Sequence, residues 1–224
     1  HINHKYLKES ESDKKAVIVV TANRGLAGGY NSNITRMIID EGFTKENTVV
    51  YAVGKKGREL LERKGYEIKA DYSEAINDPI YKDAKEICDD VLSAFADGEV
   101  GEIYLAYTVF KNTVVHEPQL IRLLPVEADD AAHETDGSEA LMTYEPSEEE
   151  ALDMIIPKYV CSLVYGALIE SVASENGARM QAMDSATSNA EEMISTLSLK
   201  YNRARQASIT QELTEIIAGA NAIE

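Results

Sequence analysis

Residues 15–42 read "KAVIVVTANRGLAGGYNSNITRMIIDEG", and this stretch decides the fold. Its first seven residues, Lys15 to Thr21, are short, β-branched and apolar on both faces. A strand of that kind is buried on both sides of a sheet. The glycines that follow make a tight turn, and a helix is expected from near Tyr30 to Gly42. A buried strand feeding a helix through a tight turn opens an α/β unit.

The pattern repeats outward. "TVVYAVG", residues 48–54, predicts a second buried strand, and "KKGRELLERKG" a short helix closed by Gly65. "YEIKADYS" predicts a third strand. "DPIYKDAKEICDDVLSAFADGE" predicts a helix with Asp78 as N-cap, Pro79 in the first position and Gly98 past the end. Its apolar stripe is Ile80, Ala84, Ile87, Val91, Leu92 and Phe95. "GEIYLAYTVFKNTVVHEPQLIRLLPV" carries two β-rich runs around "KNT", a hairpin signal. The expectation is an α/β domain with a mixed sheet over residues 14–146. Residues 1–13 read as a linker or the start of a piece of something longer, and 127–142 as an acidic loop.

From residue 147 the character changes. Ser147 with Glu150 forms a capping box, with acidic residues where the helix dipole favours them. Pro157 is expected to start or kink the main helix. Lys158 to Ile223 then runs without proline and with only Gly166, Gly177 and Gly219. At about 1.5 Å per residue that is a helix of roughly 100 Å. A pattern this long means a coiled coil, a membrane span or a repeat. No repeat is visible, and no run of about 18 apolar residues stands out, so no direct membrane insertion is expected. A coiled coil remains. Its seam is Met183, Ala186, Ala190, Met193 and Leu197, loosely continued by Tyr201 and Ala204 and resumed by Leu213, Ile216, Ile217 and Ala220. No other segment is long enough to be the partner helix.

The net charge of −17 argues against a nucleic-acid or anionic-membrane surface. Cys88 and Cys161 make no CxxC pair and read as buried free thiols of a reducing compartment. His1, His4, His116 and His133 lack ligand spacing, and no cofactor or metal site is expected. "NRGLAGGYNSN" sits where phosphate-binding loops sit, between strand and helix. It lacks both the GxxxxGK[ST] and the GxGxxG spacing, so a structural turn is the preferred reading over a nucleotide site. Between Ser147 and Glu224 the cations are Lys158, Arg179, Lys200, Arg203 and Arg205, against twelve Asp and Glu. Three of those five fall within "KYNRAR", which makes that cluster either a solvated helix face or a docking site for an acidic partner.

At these residues the chain resembles a known family. "YNRARQASITQELTEIIAGANAI", "ASENGARMQAMDSATSNAEEMI", "TANRGLAGGYNSNI" and "TYEPSEEE" are similar, in order, to segments of the gamma subunit of bacterial F-type ATP synthases. The resemblance covers residues 14–223. It implies a Rossmann-like α/β domain with a mixed sheet and a long C-terminal helix that forms an antiparallel coiled coil with an N-terminal helix, here missing. It implies a non-catalytic central rotor that couples proton flow through the c-ring to ATP synthesis or hydrolysis. The implied partners are the alpha and beta subunits, the epsilon subunit and the c-ring, at the cytoplasmic face of the bacterial plasma membrane. Contacts with the catalytic-subunit loops carry over to Arg179, Gln206, Thr210 and Glu212. Lys200, Arg203 and Arg205 join them on electrostatic grounds. Contacts at the c-ring foot carry over to Tyr144 and Glu145. A chloroplast-type cysteine-bearing insert is not visible, which points to a bacterial protein. Two other readings are a nucleotide-binding α/β enzyme using the 23–33 loop, and a coiled-coil adaptor that self-associates through 158–223.

Overall fold

The computed structural model describes residues 4–7, 12–126 and 148–223. Five strands form one sheet: β1 (Lys15–Val20), β2 (Thr48–Val53), β3 (Glu67–Asp71), β4 (Glu102–Phe110) and β5 (His116–Leu124). Their order is β3-β2-β1-β4-β5. β1 pairs parallel with β2 and β4, and β2 parallel with β3; only β4 and β5 pair antiparallel. This is the mixed sheet that the sequence predicts. Pro118 has no N–H to give a ladder and is accommodated on β5, an edge strand.

The helices are α1 (Tyr30–Asp40), α2 (Lys55–Arg63), α3 (Tyr81–Ala96) and α4 (Glu148–Asn221). Alternate residues of β1 serve the two faces of the sheet. Val17 and Val19 pack with Ile34 and Ile38 of α1 and Leu61 of α2. Ile18 and Val20 pack with Ile87 and Val91 of α3 and with Val160, Val164 and Leu168 of α4. Double-sided burial is why β1 and β2 are apolar without alternation. β3 lies at the edge and alternates between exposed and half-buried positions.

One junction fixes the geometry at the ends of β1 and β2. Thr21 follows β1, and its Oγ1 accepts a hydrogen bond from the Gly57 N–H at 2.8 Å. Gly54 sits beside it at φ 126°, and a Cβ there would meet the Thr21 carbonyl oxygen at 2.3 Å. Only glycine meets both demands.

Three expectations change. The N-cap of α3 is Ile80, not Asp78, and Pro79 lies outside the helix. The Asp83 carboxylate accepts the Ile80 N–H at 2.9 Å, so the cap comes from inside the helix and Asp78 is not needed. Ile80 is consequently half-exposed and leaves the core stripe, whereas Ala84, Ile87, Val91, Leu92 and Phe95 are buried. α4 begins at Glu148, next to the helix start expected at Ser147, and carries Pro157 inside it, so of the two expectations for Pro157, start or kink, it does not start the helix. The segment 127–142 and Ser147 of the expected capping box lie outside the described residues.

α4 also holds an 18-residue window of mean hydropathy 1.5, so by length and composition one helix is apolar enough to cross a membrane, against the expectation of none. The apolar stretch that includes Ile156, Val160, Val164 and Leu168 is packed into the core. Only 33 % of the window is buried, so core packing accounts for part of its apolar character and the rest lies on the exposed side of the helix.

Packing divides the chain into two units, His1–Gln181 and Ala182–Glu224. The end of the packed unit therefore falls within α4 rather than at its start. Cys88 and Cys161 are free and buried in the first unit. Burial pushes the Cys88 thiol up, with Cys161 beside it adding to the effect.

Candidate functional site

In a sheet of this order the ligand crevice opens where the strand order reverses, at the carboxyl ends of β1 and β4. The sequence places its glycine-rich loop there. Leu26 at φ 61° and Gly28 at φ 58° are left-handed and turn the chain into α1. The loop's polar groups are spent on this chain itself. The Ala22 N–H donates to Asn31 Oδ1 at 2.8 Å, and Asn23 Nδ2 donates to the Ser73 carbonyl at 2.7 Å. The Lys55 N–H donates to Asn23 Oδ1 at 3.0 Å.

The crevice itself is filled by α4. Ala22, Ala27 and Tyr30 are buried, with Ala178 packed on them. Tyr30 Oη donates to the Ser171 carbonyl at 3.0 Å, and Ser174 Oγ donates to the Thr108 carbonyl of β4 at 3.3 Å. Burial pushes the Tyr30 phenol well above the ordinary tyrosine range, with nearby Glu175 pushing the same way. The loop is thus a socket for a helix. Among the described residues no group of His, Cys, Asp and Glu could hold a metal ion.

Arg179 belongs to this junction. Its Nη2 pairs with Glu175 Oε1 at 2.7 Å, one turn back on α4, and reaches the Gly25 carbonyl at 3.4 Å. A Glu followed four residues later by Arg is legible as a helical pair; the loop contact is not.

The remaining contact residues lie in the second unit. Lys200, Arg203, Arg205, Gln206, Thr210 and Glu212 are all exposed. No acidic residue stands three or four positions from Lys200, Arg203 or Arg205, so none of the three has an ion-pair neighbour along the helix. Thr210 Oγ1 donates to the Gln206 carbonyl at 2.9 Å. Arg179 and the 200–212 group are placed in different units, and Tyr144 and Glu145 lie outside the described residues.

The apolar seam is exposed as well. Met193, Leu197, Leu213, Ile216 and Ile217 each leave more than half of their surface open. Ala186, Ala190, Tyr201, Ala204 and Ala220 are exposed too, and Met183 is 39 % open. In the first unit, sequence reasoning missed a second stripe. Ile155, Tyr159, Ser162, Gly166 and Ile169 follow one another by four, three, four and three on the outer side of α4. Ile155, Tyr159 and Ile169 are 58 %, 53 % and 44 % exposed. The heptad alternation was available as a signal, but it is interleaved with the buried stripe of Ile156, Val160, Val164 and Leu168.

Comparison with known proteins fits these features. A family model described as ATP synthase matches residues 1–223. The chain is 66 % identical to the ATP synthase gamma chain of Lachnoclostridium phytofermentans, over all of this chain and 79 % of that one. It is 43 % identical to the ATP synthase gamma chain of Alkaliphilus metalliredigens, over 100 % of this chain and 78 % of the other. It is 42 % identical to a gamma chain of Acetobacterium woodii named sodium ion specific, over 97 % of this chain and 78 % of the other. Among solved structures, a chain of the Euglena gracilis mitochondrial ATP synthase (OSCP/F1/c-ring) shares the fold with a TM-score of 0.68 and 21 % identity, over 98 % of this chain and 78 % of that one. A chain of the central stalk and c-ring of the Tetrahymena thermophila enzyme gives a TM-score of 0.61 at 24 % identity, over 83 % of each. By the extent of the family match and the identity to its bacterial relatives, the chain belongs to the ATP synthase family, among the gamma chains.

Proposed function

We propose that this chain is the non-catalytic central rotor of an F-type ATP synthase, turning ion flow through a membrane ring into conformational change at the catalytic subunits. The observation that carries the reading is the second unit. Every residue from Met183 to Ile223 is exposed, with methionine, leucine and isoleucine side chains open to solvent along it. A monomeric soluble protein does not leave so much apolar surface uncovered, and helical stability in proteins comes mostly from tertiary packing. Such a helix fits a sleeve of other subunits.

In this reading Lys200, Arg203, Arg205, Gln206, Thr210 and Glu212 face loops of the alpha and beta subunits, and acidic groups there meet the three cations that have no acidic neighbour along the helix. Arg179, in the first unit, meets a catalytic-subunit loop as well and also holds the Gly25 carbonyl. Tyr144 and Glu145 meet the ring at the foot, where the epsilon subunit also docks. The exposed stripe from Met183 to Leu197 takes a second helix of the same rotor. The assembly works peripherally on the cytoplasmic face of a bacterial plasma membrane, and no chemistry occurs on this chain.

The test is Arg205→Ala combined with Gln206→Ala in a complete enzyme. ATP-driven ion pumping is expected to fall relative to ATP hydrolysis, while the circular dichroism of the purified chain stays unchanged. Unaltered pumping would remove the contact assignment.

A further inference from the structure

Two buried hydroxyls under α4 have no partner among the described residues. Ser171 is 0 % exposed and Thr108 2 %. Neither Ser171 Oγ nor Thr108 Oγ1 makes a hydrogen bond to another described group. Their residues are linked through the contact of α4 with β4 and Tyr30. Ser174, one turn beyond Ser171 on the same side of α4, donates to the Thr108 carbonyl at 3.3 Å, and Tyr30 Oη donates to the Ser171 carbonyl at 3.0 Å.

Donor accounting makes this contact informative. Each hydroxyl carries one O–H and can accept as well. The Tyr30 and Ser174 protons are used on carbonyls; those of Ser171 and Thr108 are not. Ser171 also had a local option. Elsewhere on α4, Ser162 Oγ bonds the Lys158 carbonyl at 2.9 Å and Thr187 Oγ1 bonds the Met183 carbonyl at 2.9 Å, each one turn back. Ser171 does not bond the Ala167 carbonyl in this way; its hydroxyl is turned elsewhere. Buried hydroxyls left unpaired are costly, and native proteins satisfy nearly all of them, through ordered water where protein groups do not serve. Internal water in turn needs two to four polar partners. Four hydroxyls with two unspent protons supply them.

We infer that the seam between α4 and β4 holds internal water bound by Ser171 and Thr108, with Tyr30 and Ser174 as further acceptors. The site depends only on the first unit, and it stands whether or not the chain acts as a rotor. It divides the α4 attachment into a dry apolar lower part, Ile156 to Leu168, and a hydrated upper part around Ser171 and Ser174.

The test is water–protein magnetisation transfer by NMR on the 224-residue chain, in wild type and in the Thr108→Val, Ser171→Ala double variant. The expected result is a long-lived water signal at the Ser171 and Thr108 protons of the wild type. That signal disappears in the double variant, whose melting midpoint does not rise. Absence of long-lived water in the wild type overturns the inference. So does a higher melting midpoint of the double variant, since removing dry unpaired hydroxyls stabilises a core. If the variant does not fold, the wild-type signal alone decides.

Discussion

Gly177 of α4 lies directly against His116 of β5: a Cβ at 177 would meet His116 Cε1 at 2.6 Å and the Thr113 carbonyl oxygen at 3.4 Å. The hairpin and the helix approach each other as closely as they do because residue 177 has no side chain. Alanine there gains about 1 kcal/mol of helix propensity but forces overpacking that costs about 1–3 kcal/mol. Gly177→Ala is therefore expected to destabilise the chain modestly. In a His116→Ala background the obstacle is gone, and the same substitution is expected to stabilise by about 1 kcal/mol. Chemical denaturation of the four proteins of that cycle checks the change of sign.

Gly54→Ala has no such escape, because the atom in the way is the Thr21 backbone carbonyl and φ is 126°. Left-handed strain of about 1–3 kcal/mol adds to the clash at the junction of β1 and β2. Loss of the cooperative thermal transition, or a drop in stability of at least about 3 kcal/mol, is expected.

Truncation after Gln181 keeps every buried residue of α4 and is expected to leave a folded α/β unit. Truncation after Pro157 removes Val160, Val164 and Leu168, all 0 % exposed. At about 1.5–3 kcal/mol for each buried aliphatic side chain, that loss rivals the whole stability of a domain, about 5–15 kcal/mol. The shorter piece is expected to show no cooperative melting by circular dichroism. Self-association through the exposed seam is therefore tested without shortening the chain, by Leu197→Glu. It is expected to reduce concentration-dependent association in sedimentation.

Stability should fall in alkali through Tyr30. The folded chain holds the Tyr30 proton to higher pH than the unfolded chain does, because burial disfavours phenolate. The unfolded chain sheds its proton first, so this contribution is complete below the ordinary tyrosine pKa of about 10 and is lost as pH rises above it. Tyr30→Phe forfeits the bond to the Ser171 carbonyl, about 0.5–1.5 kcal/mol at neutral pH, but it carries no such loss in alkali. The stability gap between variant and wild type is expected to narrow as melts are taken from pH 8 towards pH 11.

Much of the sheet was legible because its signals are local. Double-sided apolar runs gave β1 and β2, turn residues gave the hairpin, and glycines closed α1 and α2. The mistakes at α3 and α4 are local as well, but ambiguous. Sequence reasoning took Asp78 as the cap, whereas the chain uses Asp83, which reaches back from inside the helix. Pro157 follows nine residues of helix, a stretch that the acidic run after Ser147 had already marked as a helix start. The docking of α4 over the ends of β1 and β4 was not legible, since Ser174 and Thr108 are 66 residues apart and leave no periodic trace. Small residues at Ser171, Ser174, Gly177 and Ala178 were the only hint of a close approach. The seam was legible as a pattern, and its exposure gives that pattern physical meaning.

The socket between β1 and β4 has a further consequence. A free ligand would have to displace an occupant tethered to the same polypeptide, and tethered partners compete at effective concentrations of about millimolar or more. ATP or a dinucleotide offered to the isolated chain is therefore expected to give no calorimetric binding signal at millimolar ligand, and Gly28→Val would change nothing in that experiment. Other open α/β sheets bind a ligand in the corresponding crevice. Here the contacts of α4 occupy it, and the expected outcome is an α/β unit that does not respond to the nucleotide whose turnover its family serves.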